Sequence, residues 1–215
     1  MRKILPIFIY IFFSTSIIFS HELWMFTDNF HPNEGKQIKL SICSGHYFPK
    51  SNFKIKKSLI KDVFIKNSEK RSDIIIKSEG KHWESSFSIK NGSTHLAVFT
   101  LVKKGKTEPF FWGRALIAPF DPTKKESEYI TGEGLEIILL NNISQLKEND
   151  TLELKALFNG EPVKFNGKIS VNGGKNIFLS SDNTEPVKLN KIKKGIYLIT
   201  TSFKGKGCSL TFEIR

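Results

Sequence analysis

The chain has 215 residues, of which 39% are hydrophobic, 12% aromatic and 25% charged. That apolar content excludes wholesale disorder, and 19 Phe against two Cys excludes a small disulfide-stapled scaffold. The formal charge of +12 comes from 33 basic residues, of which only Arg2, Arg71, Arg114 and Arg215 are Arg, and the Lys are scattered along the chain. Planar recognition of phosphates and bases favours Arg, so the charge reads as a solvated surface and no nucleic-acid partner is expected.

Residues 1–20 have the layout of a secretory signal peptide. Met1-Arg2-Lys3 is basic, Ile4–Phe13 is apolar, and the run continues past Ser14-Thr15-Ser16 to Phe19, with Ser20 small enough to precede a cut. The apolar stretch is short and interrupted for a bilayer span, so no stable membrane span is expected after cleavage. No Cys follows it to carry a lipid anchor. Cleavage after Ser20 is favoured over cleavage after Ser16, and it makes His21 the first residue of the exported protein. Losing Arg2 and Lys3 lowers the net charge from +12 to +10, which leaves a bias towards anionic membrane surfaces.

From residue 21 onward the pattern is all-β. Ile38, Leu40 and Ile42 alternate with polar neighbours, as do Leu152, Leu154 and Ala156, and Cys208, Leu210, Phe212 and Ile214. Residues 94–102 and 110–118 are apolar at successive positions, which predicts central strands covered on both faces. Turn signals separate the runs at Asn91-Gly92, Asn159-Gly160, Asn172-Gly173-Gly174, Lys194-Gly195 and Lys204-Gly205. A polar segment with Pro122, Gly132 and Gly134 marks a linker at 121–134. The expectation is two consecutive β-sandwiches of immunoglobulin or transthyretin type, 21–120 and 135–215.

Cys43 and Cys208 lie in strand-like segments of an exported chain, which allows one bridge; two buried free thiols are an equal alternative, and a thiolate metal ligand a weaker one. All five His fall within the first 95 residues: His21, His31, His46, His82 and His95. His31, before Pro32, reads as a turn residue, and His82, before Trp83, as a surface one. His21 differs if it begins the mature chain. Its α-amine, with an ordinary pKa of about 8, and its own Nδ1 then close a chelate ring on one metal ion. A further imidazole completes a three-nitrogen site suited to Cu(II) or Ni(II). His46 is a candidate because Gly45 and Pro49 mark a strand exit. His95 is another, because an imidazole in a central strand needs a hydrogen bond or a metal.

The segments His21-Glu22-Leu23-Trp24 and Gly45-His46-Tyr47-Phe48-Pro49 resemble the opening of an exported two-domain family long labelled a domain of unknown function. That family is described as the periplasmic component of cobalt/nickel uptake systems. Gly134–Leu140, Leu146–Leu152 and Leu157–Val163 resemble its second domain, with Asn149-Asp150 where the family usually has Gly-Asp and Tyr129–Gly132 a weak version of the preceding segment. The resemblance implies a pair of β-sandwiches that binds a divalent transition metal in the periplasm and assists its uptake, with an inner-membrane metal transporter as partner.

The leading expectation is therefore a periplasmic binding protein for nickel or cobalt, with copper or zinc as other candidate ions and His21, His46 and His95 as ligands. The alternative is a non-catalytic cell-envelope module that binds protein or polysaccharide through Trp24, Trp83, Phe110, Phe111 and Trp112. An enzyme is not expected. The sequence carries no nucleophile elbow, HExxH motif, phosphate loop or acid/base pair, although a copper-bound N-terminal His doing oxidative chemistry is a third reading.

Overall fold

The structure is a computed structural model and describes residues 21–67, 70–89, 94–117 and 130–215. The expected leader, 1–20, and the first part of the expected linker, 121–129, lie outside the described residues. So do Asn91-Gly92 and position 118 of the second apolar run.

The described residues are all-β. The first half contributes β1 (Glu22–Thr27), β2 (Gln37–Gly45), β3 (Ile60–Lys66), β4 (Arg71–Asp73), β5 (Lys77–Glu79), β6 (His82–Ser88), β7 (His95–Val102) and β8 (Pro109–Ile117). The second contributes β9 (Leu135–Leu139), β10 (Leu152–Phe158), β11 (Glu161–Val163), β12 (Asn166–Val171), β13 (Ile177–Ser180), β14 (Val187–Leu189), β15 (Gly195–Phe203) and β16 (Lys206–Ile214).

One eight-stranded sheet, ordered β13-β12-β15-β16-β8-β7-β3-β4, runs through both halves. Its junction is the parallel pair β8–β16, with Gly207 opposite Phe111 and Thr211 opposite Ala115. A four-stranded sheet, β1-β2-β6-β5, packs on one side of it, and a smaller sheet of β9, β10, β11 and β14 packs on the other.

This arrangement explains why β7 and β8 are apolar at successive positions. Ala97, Phe99, Leu101, Phe111, Ala115 and Ile117 pack with Met25, Ile38, Leu40 and Ile42 of the first small sheet. Their alternating neighbours Leu96, Val98, Trp112 and Leu116 pack with Leu135, Leu154, Phe165 and Phe212 of the second half. Period-two geometry sends adjacent side chains to opposite faces, and here both faces are covered. Gly113 is required in β8. It stands opposite Phe99, and a Cβ at this position would lie 1.9 Å from the Phe99 ring.

Tyr197 supplies an immunoglobulin-type feature at the start of β15. Its hydroxyl donates to the carbonyl of Lys193 at 2.6 Å and accepts from the Lys193 N–H at 3.0 Å, while its ring stacks on Phe212. Burial pushes the phenol up from its ordinary pKa, and the hydrogen bond to Lys193 opposes that shift.

Candidate metal centre

β1 and β2 pair antiparallel, and their open end closes with Glu22 opposite Gly45. His21 and His46 follow as the next opposed positions. Their rings meet there: His21 Nδ1 lies 2.8 Å from His46 Nε2, with ring centroids 4.5 Å apart. The Phe53 ring flanks both, 4.4 Å from the His21 ring and 6.0 Å from that of His46.

The loop after β2 holds His46 in place. The Asn52 and Phe53 N–H groups donate to the Ser44 carbonyl at 2.8 and 3.1 Å, and the Ser44 hydroxyl donates to the Phe53 carbonyl at 2.7 Å. The His46 N–H donates to Asn52 Oδ1 at 3.3 Å. Gly45 makes this return of the chain feasible, because a Cβ there would lie 2.5 Å from Asn52 Oδ1. On the other strand, Glu22 pairs with Lys168, which ties the start of β1 to β12 of the large sheet.

At this separation the two ring nitrogens share a hydrogen bond, one ring donating and the other accepting. Two nitrogens each about 2.0–2.1 Å from a metal and at a right angle to one another stand about 2.9 Å apart, whereas a tetrahedral angle would spread them to about 3.3 Å. The observed 2.8 Å is an ordinary N–H···N distance and also lies near that right-angle value. The ring nitrogen of His21 that faces its partner is Nδ1, the one within chelating reach of the residue's own backbone nitrogen.

The structure brings together two of the three expected ligands. His95 is not the third. It opens β7 opposite Ile117, is 3% exposed, and packs its ring 5.5 Å from that of Phe87. His21 and Phe111 line one cavity, and Ile117 lies six residues further along β8, about 20 Å away at strand rise. The sequence signal at His95, a polar ring in an apolar strand, therefore marks a residue of the first sandwich. Among the described residues no group of three or more His, Cys, Asp or Glu side chains forms a metal cluster.

His31 Nε2 lies 3.0 Å from the Glu213 carbonyl, and His82 pairs with Glu84 at 3.7 Å. Both cysteines are free and buried. Cys43 packs with Trp24, Phe48 and Leu198, while Cys208 belongs to the core on the opposite face of the large sheet, so the sheet lies between the two thiols. Burial pushes the Cys43 thiol up to about 12, against a hydrogen bond from Ser51, and raises Cys208 as well, against the opposing Arg114 guanidinium. Neither is a thiolate near neutral pH.

A cavity of about 310 Å³ adjoins His21, lined by Glu22, Phe111, Lys168, Phe178 and Thr201 among others. The aromatics expected to form a binding face are elsewhere: Trp24, Phe111 and Trp112 are buried, and Trp83 and Phe110 are half-buried. Among the described residues the exposed Phe, Tyr and Trp side chains are Tyr47, Phe53 and Phe178. Tyr47 and Phe53 share a loop with His46, and Phe178 lies on the cavity beside His21. Asn52, Phe53 and Phe178 carried no signal as site residues; Gly45 and Pro49 marked only the loop that presents the first two.

Fold and site together define an all-β protein of immunoglobulin-like sandwiches with a histidine pair at the open end of its first hairpin. The chain belongs to the family described as Domain of unknown function (DUF4198), whose model matches residues 18–206. No curated protein matches it. Among solved structures it is similar to the three-domain ectodomain of mouse nectin-like molecule 4, at 12% identity and TM-score 0.25, over 89% of this chain and 62% of that one. It is also similar to a two-domain fibronectin type-III segment of chicken tenascin, at 14% identity and TM-score 0.27, over 90% and 97%. Fibronectin(III)-like modules of Clostridium thermocellum CbhA match at 14% identity and TM-score 0.26, over 89% and 94%.

Proposed function

We propose that this chain is an exported, non-catalytic binding protein for a divalent transition metal, held by His21 and His46. Cleavage after Ser20 would free the His21 α-amine, giving three nitrogens from two residues: amine, Nδ1 and His46 Nε2. Nickel or cobalt is the proposed ion, in keeping with the family resemblance, and delivery to an inner-membrane transporter from the periplasm is the proposed role. The observation that carries the reading is the 2.8 Å separation of His21 Nδ1 and His46 Nε2.

Calorimetric titration of the chain beginning at His21 with Ni(II) and Co(II) tests it. Binding with a dissociation constant well below about 10 μM, lost in both His21→Ala and His46→Ala, supports the reading; weaker binding, or binding that survives either substitution, overturns it. Catalytic consumption of oxygen and reductant after copper loading would overturn the non-catalytic part.

A second reading, a cell-envelope module that binds polysaccharide or protein, is favoured by the exposure of Tyr47, Phe53 and Phe178 around the pair. Polysaccharide pull-downs that retain the wild type and release Phe178→Ala would select it.

A further inference from the structure

The lysines that look scattered in sequence converge at one end of the large sheet. Because β8 and β16 run parallel and in register, the turns that precede them emerge side by side. One turn reads Lys103-Lys104-Gly105-Lys106, the other Lys204-Gly205-Lys206. They wall a cleft of about 510 Å³ lined by Lys103, Lys106, Glu108, Phe110, Lys204 and Lys206 among others. Lys103, Lys104, Lys106 and Lys204 are exposed. Glu108 is the one carboxylate lining the cleft, and it is already engaged by Lys206. Three of the ammonium groups sit over aromatic rings: Lys103 over Phe110 at 6.0 Å, Lys204 over Phe203 at 5.1 Å and Lys206 over Trp112 at 5.8 Å. These ammonium groups rest on aromatic faces, and Lys103 and Lys204 remain exposed to solvent there.

We propose that this paired lysine tip docks on an anionic phospholipid surface. The charge is carried by Lys on two protruding turns, with none of the four Arg among the lining residues. A diffuse negative surface attracts such point charges without requiring planar, bidentate donors, whereas a nucleic acid is read chiefly through Arg. Gly207 and Cys208, which follow Lys206, line the cavity that also holds His21. The docked face therefore lies at the end of the molecule that carries the histidine pair. Docking itself uses neither histidine and does not depend on the metal reading.

The test is co-sedimentation of the chain beginning at His21, without added metal, with vesicles of phosphatidylcholine containing about one third phosphatidylglycerol and with pure phosphatidylcholine vesicles. The expected result is retention by the anionic vesicles only, released by roughly 0.5 M salt. Each lysine is expected to contribute about fivefold to partitioning, so Lys104→Glu with Lys106→Glu lowers it at least about 25-fold, and Lys204→Gln alone about fivefold. Lys188→Glu, on β14, serves as the remote control and leaves it within about twofold. Equal retention by both vesicle types, no retention, a Lys188→Glu effect as large as that of the tip variants, or stronger retention on duplex DNA at the same salt overturns the proposal.

Discussion

Arg114 and Glu136 form an ion pair inside the molecule, Nη2 to Oε1 at 3.2 Å, with both side chains at most 2% exposed. Arg114 also donates from Nη1 to the Leu135 carbonyl and from Nη2 to the Glu133 carbonyl and the Thr131 hydroxyl. Glu136 in turn accepts from the Thr131 and Gly132 N–H groups at 2.8 and 3.0 Å and from the Thr131 hydroxyl at 2.7 Å. The pair thus clamps the chain entering β9 onto β8. Removing one partner strands a buried charge, so Arg114→Ala and Glu136→Ala are each expected to cost about 3–5 kcal/mol in urea denaturation. Replacing both with apolar residues of similar volume, Arg114→Met with Glu136→Leu, is expected to recover most of the loss of the Arg114 variant. A double variant as unstable as the sum of the singles would contradict the coupling.

The buried thiols give a pH prediction whose sign is fixed. Burial raises Cys43 from 9.0 to about 12 in the folded chain, so the unfolded chain binds fewer protons between those values and stability falls as pH rises through that window. Below pH 9 the thiol is protonated in both states and contributes no slope. Lysines and tyrosines titrate in the same range, so the measurement is the difference between wild type and Cys43→Ala. The wild type is expected to lose about 1.4 kcal/mol more per pH unit above 9. Parallel stability curves would show that Cys43 is not the source.

Much of the strand pattern is legible in the sequence, because alternation and turn chemistry are local. Asn159-Gly160 and Asn172-Gly173 predict turns, and all four residues adopt positive φ there. The alternations at Ile38–Ile42 and at Leu152–Ala156 fall within β2 and β10, and the first strand after the polar segment begins at Leu135. What escapes local reading is the junction between the halves. Phe111 and Gly207 are far apart in sequence, and a parallel pairing over that distance leaves no mark in either segment. The same junction creates the lysine tip, which is why the lysines look dispersed along the chain. At the candidate site, His21 and His46 are legible through their chain positions. His95 misleads because a histidine in an apolar strand reads the same whether it meets a metal or a Phe87 ring.

Metal preference follows from the donor set. The proposed donors, two imidazoles and the freed amine, are all nitrogen, and for such sets affinity rises from Co(II) through Ni(II) to Cu(II). Competition titration is therefore expected to rank Cu(II) above Ni(II) above Co(II), with supply rather than affinity selecting the physiological ion. Gly45→Ala is expected to weaken Ni(II) binding at least about tenfold without removing a ligand, because its Cβ would displace Asn52 and with it the His46 backbone. Undiminished Ni(II) affinity in Gly45→Ala would show that the loop does not position His46.

The shared sheet predicts how the molecule unfolds. β16 pairs with β15 on one side and with β8 on the other, and the core of the second half is completed by Leu96, Val98, Trp112 and Leu116 of the first. Trp83 packs in the core of the first sandwich, whereas Trp24 and Trp112 pack against Leu198 and Phe212 of the second half. Fluorescence therefore reports on the first half and on its contact with the second, while far-ultraviolet circular dichroism reports on the strands of both. The two signals are expected to change together in one thermal transition, because neither half can lose its strands without uncovering apolar surface of the other. A chain ending at Gly134 would leave the β16 side of β8 unpaired and expose Trp112 and Leu116, and it is expected to lack a cooperative transition. Two separated transitions in the full chain, or a cooperatively folded first half alone, would show that the β8–β16 junction does not couple the two sandwiches.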